Sequence, residues 1–361
     1  MKIALLTSIS EIGGGESNLI NLALRLSNNS EVTVFCPSGT LLDFLSELNI
    51  RTFEANQLKR RGWFKFLPLF FLNSHLRLIL NNFDIVHAYT INCLPFILLC
   101  KSRIICTLHG YWDRPFGLRG IIIGLFVDKV ICVSNDVYNI TRLPQSKKAL
   151  IHLGLPLGSD NIGNSSRNHI FDKNLVRILV VARLQKIKGH DILLDALYEV
   201  SQKNKHRFIL NMLGDINNIN KENLKYKNLI ISKIKNYRND FLEINFIGFK
   251  KNVFEYIKQS DFVVIPSRYE SFSMVAIESL SIGIPIIAPN IGGPREIVNT
   301  KSIGILFEPG DVKDLTASIE YMVNHYDDYI SKDCINRAKF FSIDIQVEKH
   351  LNLYKEILND R

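Results

Sequence analysis

Asp261-Phe-Val-Val-Ile-Pro266-Ser-Arg-Tyr-Glu270-Ser-Phe-Ser-Met-Val-Ala-Ile-Glu278 reads as a buried strand, a polar loop and the start of a helix, in that order. The β-branched run is of the kind that fills a parallel sheet, and open α/β sheets bind ligands at the carboxyl ends of their strands. Glu270 is therefore expected at such an end. Glu278, eight residues on, is expected about two turns into the helix, ~12 Å further along its axis at ~1.5 Å per residue. Carboxylates so far apart cannot share one proton or one metal. They suit hydroxyls at opposite ends of an elongated ligand, with the helix N-terminus facing an anion between them.

Upstream, Arg177-Ile-Leu-Val-Val181 reads as another buried strand that empties into a loop carrying Arg183 and Lys188, with a helix beginning near Gly189. A guanidinium fork beside a mobile ammonium suits a diphosphate. Taken singly, either feature reads as ordinary solvated side chains. The surrounding pattern repeats the same unit, with strands expected at Phe208–Leu213, Ile244–Ile247, Phe262–Ile265, Ile284–Ala288 and Ile305–Phe307. The first half alternates likewise, with strands at Lys2–Leu6, Glu31–Phe35, Asp84–Ala88, Ile104–Leu108 and Lys129–Val133, and helices at Ser17–Ser27 and Leu41–Leu48. Such alternation implies two doubly wound α/β domains with parallel sheets. The polar interval 158–174 is the expected linker, giving domains 1–165 and 166–342 and a helical tail over 343–361. Facing strand ends of the two domains would enclose a cleft.

At 361 residues and 47% hydrophobic, the chain can bury two cores. A net charge of +9 fits an anionic partner, but no recognition helix or aromatic-basic repeat points to nucleic acid. The six cysteines lack metal-type spacing, and several lie within apolar strands, as expected of buried, reduced thiols in a cytoplasmic protein. Residues 59–72 join a basic cluster, Lys59-Arg60-Arg61, to an aromatic and aliphatic run too short to span a bilayer. Two readings fit: a core helix with a basic cap, or an element lying in an anionic membrane interface.

These features together resemble the retaining glycosyltransferases of family GT4. The resemblance is carried by Gly13-Gly14-Gly15-Glu16, Thr107-Leu108-His109-Gly110, Val133-Ser134-Asn135, Arg183 with Lys188, Glu270 to Glu278, and Gly292-Gly293-Pro294-Arg295-Glu296-Ile297-Val298. It implies the GT-B fold, two Rossmann-like domains facing a central cleft, with the tail crossing back onto the first. It implies that the second domain holds a UDP- or GDP-linked sugar. Arg183, Lys188 and the amides of Ser271, Phe272 and Ser273 would meet the diphosphate. Glu270 would hold sugar hydroxyls and Glu278 the ribose. The nucleobase would lie by loops near Gly214 and Gly248. The first domain would take the acceptor, with His109 near the reacting carbon and Gly14 and Gly15 permitting close backbone approach. His109, Glu270, Arg183 and Lys188 would form the catalytic set, with no metal and no cofactor. Attack would occur on the face the diphosphate leaves.

Two departures stand out. His152-Leu153-Gly154-Leu155-Pro156 replaces the family's more polar segment, and Ser273 stands where glycine is common, either narrowing the approach or adding a hydrogen bond. A dehydrogenase is disfavoured because the loop after the first strand lacks the third glycine of G-x-G-x-x-G. A nucleotide-sugar epimerase and a catalytically silent membrane scaffold are the other rivals. The expectation is a metal-independent hexosyltransferase or N-acetylhexosaminyltransferase, peripheral on the cytoplasmic face of the membrane, elongating a polyprenyl-diphosphate-linked saccharide for cell-surface polysaccharide.

Overall fold

The computed structural model describes residues 1–59, 74–113, 117–157, 171–203, 206–214 and 221–360. The chain divides into two compact units, one of Met1–Pro156 with Phe341–Arg361, the other Leu157–Phe340.

The first unit runs β1 (Lys2–Leu6), α1 (Gly14–Leu26), β2 (Glu31–Cys36), α2 (Thr40–Glu47), β3 (Thr52–Glu54), α3 (Ser74–Leu80), β4 (Ile85–Ala88), α4 (Leu94–Ile97), β5 (Arg103–Leu108), α5 (Gly117–Phe126), β6 (Lys129–Cys132), α6 (Asn135–Ile140) and β7 (Lys148–Leu150). Among the described residues its sheet has seven parallel strands in the order β3-β2-β1-β4-β5-β6-β7. The winding reverses between β1 and β4, which opens a crevice at their carboxyl ends. Central strands are apolar on both faces because helices cover both, and Ile3, Leu5, Val34, Ile85, Ile105 and Ile131 share one core with α1.

The second unit runs β8 (Leu175–Val181), α7 (His190–Lys203), β9 (Arg207–Leu213), α8 (Lys221–Tyr237), β10 (Leu242–Gly248), α9 (Phe254–Lys258), β11 (Phe262–Val264), α10 (Met274–Ser281), β12 (Ile286–Pro289), α11 (Gly292–Ile297), β13 (Gly304–Phe307), α12 (Val312–Asn324) and α13 (Ser331–Lys339). Its six described strands are parallel in the order β10-β9-β8-β11-β12-β13, so here the winding reverses between β8 and β11. Val176, Ile178, Val180, Phe208, Leu210, Phe262 and Val264 form its core with α7 and α12.

The last helix, α14 (Ile343–Asn359), belongs to the first unit. Its Ile343, Val347, Tyr354 and Ile357 enter the core containing α1. The chain reaches it beside Gly154, where an added Cβ would lie 2.6 Å from the Ile343 Cα. Asn18 of α1 and Gln346 of α14 exchange amide hydrogen bonds of 2.9 and 3.0 Å, both buried.

The strands expected from the sequence are present, with ends within about two residues of their expected positions. Two strands were not anticipated, β3 and β7, three residues each at the sheet's edges with no buried side chain, so neither carries an apolar signal. Helix α1 starts at Gly14 rather than Ser17, so Gly14 and Gly15 are its first turn and not a loop. Packing of Leu19, Leu22 and Leu26 holds the helix together in spite of the glycines. Of the basic-aromatic stretch only Lys59 is described, exposed at the end of a short turn over Asn56–Lys59; residues 60–72, and 158–170 of the expected linker, lie outside the described residues. Cys36, Cys93, Cys106, Cys132 and Cys334 are buried free thiols and Cys100 is partly exposed. Among the described residues no helix is long and apolar enough to cross a membrane.

Candidate functional site

In the second unit the loops after β8 and β11 flank the point where the winding reverses, and they carry Arg183, Lys188 and Glu270. The two loops touch. Gly189 adopts φ +69°, and a Cβ there would fall 1.9 Å from the Pro266 carbonyl, so only glycine allows this approach. Arg268 fixes the pair of loops more strongly. Its guanidinium donates to both carboxyl oxygens of Asp191 at 2.8 and 2.7 Å and to the Lys186 carbonyl at 2.7 Å, and its own backbone N–H donates to the Ile187 carbonyl. The Tyr226 hydroxyl completes the cluster, donating to Asp191 at 2.7 Å. Burial pushes the Asp191 carboxyl up, but the Arg268 fork and Tyr226 outweigh it and hold it below the usual carboxylate range.

Between these fixed loops the Lys188 ammonium donates to Glu270 Oε2 at 2.7 Å, and Ser267 Oγ donates to the same oxygen at 3.0 Å. The two side chains are only 23% and 14% exposed, so the pair is partly desolvated. Arg183, by contrast, is exposed and makes no ion pair among the described residues. His190, the first residue of α7, adds no charge, because burial pushes its imidazole down to about 4.

Downstream of Glu270 the backbone is pinned from behind. Gly292, at φ +60°, and Gly293 would place added Cβ atoms 1.9 Å from the Glu270 carbonyl and 2.2 Å from the Phe272 Cα, and Gly293 N–H donates to the Ser271 carbonyl. The Gly-Gly-Pro sequence thus acts as a close-packed backing for the Glu270 loop. Ser271 Oγ is buried with no hydrogen-bond partner among the described residues, and Phe272 is buried. The Ser273 hydroxyl caps α10, accepting from the Ala276 N–H at 3.4 Å, while its backbone sits at φ +83°.

Because α10 begins only at Met274, Glu278 stands one turn into the helix, not two as expected. The Ser271–Ser273 segment stays non-helical, held against Gly292 and Gly293. Glu278 is half-buried as a residue with its carboxyl deep among its neighbours; the carboxyl makes no hydrogen bond among the described residues and is pushed up to about 7 by burial. Gly248 ends β10 at φ +82°, with open space where a Cβ would be, and its carbonyl accepts from the Gly214 N–H. Glu270, Ser271, Phe272 and Ser273 thus form one loop whose first residue contacts Lys188, whereas Arg183, Gly248 and Glu278 make no side-chain hydrogen bond or ion pair to it among the described residues.

In the first unit His109 follows β5. Its Nε2 lies 2.8 Å from the Tyr89 carbonyl, its backbone N–H donates to Asp113, and its ring packs on Tyr89 at 4.7 Å. Burial lowers its pKa against the opposing pull of Asp113, which favours the neutral imidazole. Gly13 caps α1 with no side-chain bond, and added Cβ atoms on Gly14 and Gly15 would meet nothing within 4 Å.

Sequence reasoning missed Arg268, Asp191 and Tyr226. Arg268 reads as an isolated loop cation and Asp191 as an ordinary first-turn acid, and their pairing across 77 positions leaves no local pattern.

Comparison with known proteins agrees with this architecture. The family described as Glycosyltransferase Family 4 matches residues 12–157, and that described as Glycosyl transferases group 1 matches residues 161–339. The chain is 28% identical over 314 residues to the O-antigen biosynthesis glycosyltransferase WclY of Escherichia coli, covering 81% of this chain and 80% of that one. It is 26% identical over 347 residues, 91% of each chain, to the N-acetylgalactosamine-N,N'-diacetylbacillosaminyl-diphospho-undecaprenol 4-alpha-N-acetylgalactosaminyltransferase of Campylobacter jejuni. The Anabaena protein HepE, solved in complex with UDP and glucose, superposes with a TM-score of 0.80 at 19% identity, covering 98% of this chain and 99% of that one, a likeness of fold. Two family matches that divide nearly the whole chain between them, over two parallel doubly wound units, make this protein a family 4 glycosyltransferase of GT-B fold.

Proposed function

We propose that the protein is a retaining, metal-independent hexosyltransferase or N-acetylhexosaminyltransferase, using a UDP- or GDP-linked sugar to extend a polyprenyl-diphosphate-linked saccharide in cell-surface polysaccharide synthesis. The observation that carries the reading is the Lys188–Glu270 pair, held by the Arg268–Asp191 fork where the second sheet reverses its winding. A nucleotide sugar presents a diphosphate next to vicinal hydroxyls, and this loop pair presents a cation next to a carboxylate. Arg183 and Lys188 then hold the diphosphate, together with the amides that precede α10. Glu270 accepts hydrogen bonds from the sugar, Glu278 accepts them from the ribose, and Gly248 leaves room by the base.

In transfer the bond between the anomeric carbon and the diphosphate oxygen breaks, and the electron pair leaves with the nucleoside diphosphate. Negative charge grows on that oxygen, so fixed cations and amides stabilise the transition state more than the ground state. The acceptor hydroxyl forms the new bond on the same face, and its proton passes to the departing diphosphate. His109, neutral and tethered beside Tyr89, is the first unit's contribution in this reading. The UDP complex of the HepE neighbour and the lipid-linked substrate in the name of the Campylobacter relative support the choice of donor and acceptor.

The working site is proposed to be the cytoplasmic face of the membrane, approached through Lys59, Arg60 and Arg61. Triple replacement of these by Ser should abolish binding to anionic vesicles at low salt, and unchanged binding would remove that part of the reading. For the chemistry, the purified enzyme is incubated with chelator, a panel of UDP- and GDP-sugars and a polyprenyl-diphosphate saccharide. The expected result is one product whose new linkage keeps the donor's anomeric configuration by NMR. An inverted linkage, or no turnover with any donor until a divalent ion is added, would overturn it.

A further inference from the structure

His109 is held by one residue in two ways. A carbonyl oxygen only accepts, so the 2.8 Å contact between His109 Nε2 and the Tyr89 carbonyl requires Nε2 to carry the hydrogen. In the neutral ring Nδ1 is then left with its lone pair, and it has no hydrogen-bond partner among the described residues. The Tyr89 ring packs against the imidazole at 4.7 Å and 56°, forming a wall that opposes its rotation.

Tyr89 is itself immobilised. Its N–H donates to the Leu6 carbonyl of β1 at 2.8 Å, and its hydroxyl, fully buried, donates to Asn18 Oδ1 at 2.7 Å. That amide oxygen also receives Gln346 Nε2 at 3.0 Å, while Asn18 Nδ2 donates to Gln346 Oε1 at 2.9 Å and to the Gly154 carbonyl at 2.7 Å. Gln346 Oε1 accepts from the Gly154 N–H as well, at 2.6 Å. The carbonyl and amide groups of Asn18 and Gln346 are thus engaged, which fixes the orientation of both amides.

We propose that Tyr89 is a positioning residue for His109: its carbonyl selects the tautomer with Nδ1 as acceptor, its ring sets the direction of that lone pair, and the Asn18–Gln346 amide pair anchors it, so that α14 takes part in aligning the imidazole. The consequence for turnover rests on the transferase reading above; the alignment itself does not. A neutral acceptor nitrogen in a fixed direction suits a hydroxyl of the sugar or of the incoming saccharide.

The test is heteronuclear NMR of the ring nitrogens in histidine-labelled full-length enzyme at neutral pH, with His109 assigned by comparison with His109→Gln. The expected wild-type spectrum shows protonated Nε2 and unprotonated Nδ1, and the opposite tautomer would overturn the proposal without any further variant. In Tyr89→Leu, which removes the wall but keeps the carbonyl, the imidazole should be free to turn off that carbonyl, so the second tautomer should become populated, and kcat should fall about 10-fold or more with the donor KM within about 2-fold. Tyr89→Phe keeps the ring and loses only the anchor, so it should fall between, and it serves if the leucine variant does not fold. A purely structural tyrosine would lower the melting temperature and leave the ring-nitrogen spectrum and kcat unchanged, and that result would overturn the proposal. The expected spectra with no turnover of any donor would instead sink the transferase reading and support the clamp.

Discussion

Replacing Ser273 by glycine should make the second unit more stable, although it deletes a helix cap. Ser273 sits at φ +83° and ψ 92°, a region in which a side chain is strained by about 1–3 kcal/mol. Glycine removes that strain. Against this, losing a serine cap to glycine costs only a few tenths of a kcal/mol, and here the capping bond is long at 3.4 Å. Glycine also gives the unfolded chain more freedom, worth roughly 0.5–1 kcal/mol. The balance favours Ser273→Gly by about 1 kcal/mol. Ser273→Ala keeps the strain and loses the hydroxyl, so it should fall below the wild type by up to about 1 kcal/mol. The assay is thermal unfolding followed by circular dichroism, with midpoints expected to move by about 2–4 °C per kcal/mol for a domain of this size. An alanine variant as stable as the glycine variant would refute the claim that the Ser273 backbone is strained.

Three further outcomes follow from the same loops. Lys188→Ala and Glu270→Ala should each reduce transfer by about 100-fold or more, and in the double variant the losses should fail to add by about 1–3 kcal/mol, because the two side chains are one pair; additive losses would show that they act separately. Arg268→Ala should cost about 2–3 kcal/mol in urea unfolding by leaving Asp191 with Tyr226 alone. Because the Asp191 carboxyl is held below its ordinary range in the folded state, its contribution should disappear as the pH falls through that lowered value, and Asp191→Asn should flatten the profile. Glu278 has the opposite sign. With its carboxyl pushed up to about 7, it binds a proton more tightly folded than unfolded, so the stability it confers is complete below its unfolded value and declines as the pH rises to 7. Glu278→Gln should therefore be more stable than wild type at pH ~8, by at most about 3 kcal/mol, and by less where solvent still reaches the group. Nucleotide binding measured by calorimetry should release a proton near neutrality in the wild type and not in this variant.

What was legible in the sequence follows from where its signals are local. A buried parallel strand is apolar along its whole length, so β1, β8 and β11 announce themselves, and the loops that follow them fix the neighbourhood of Lys188 and Glu270. The same logic hides β3 and β7, whose edge positions bury nothing completely. The helix start at Gly14 was hidden by glycines that say loop, while distant packing says helix. Glu278 was misplaced by a turn because only the pinning of Ser271–Ser273 by Gly292 and Gly293, about twenty positions away, keeps that stretch from coiling. Arg268 with Asp191, which ties together the loops of Lys188 and Glu270, and Asn18 with Gln346, which ties α14 to α1, pair across 77 and 328 positions, and no window of sequence contains both members of either pair.

That last span has a consequence for biosynthesis. Asn18 leaves the ribosome 328 residues before Gln346, which at about 5–20 residues per second is a delay of roughly 15–65 s. During that interval the earliest-made half holds a vacant seat for a helix still to be translated, while the half made later has every strand it needs. The order of completion is thus the reverse of the order of synthesis. Premature stop codons that remove only α14 should yield nascent chains that chaperones retain, even though no residue after β8 would be at fault except the missing clasp.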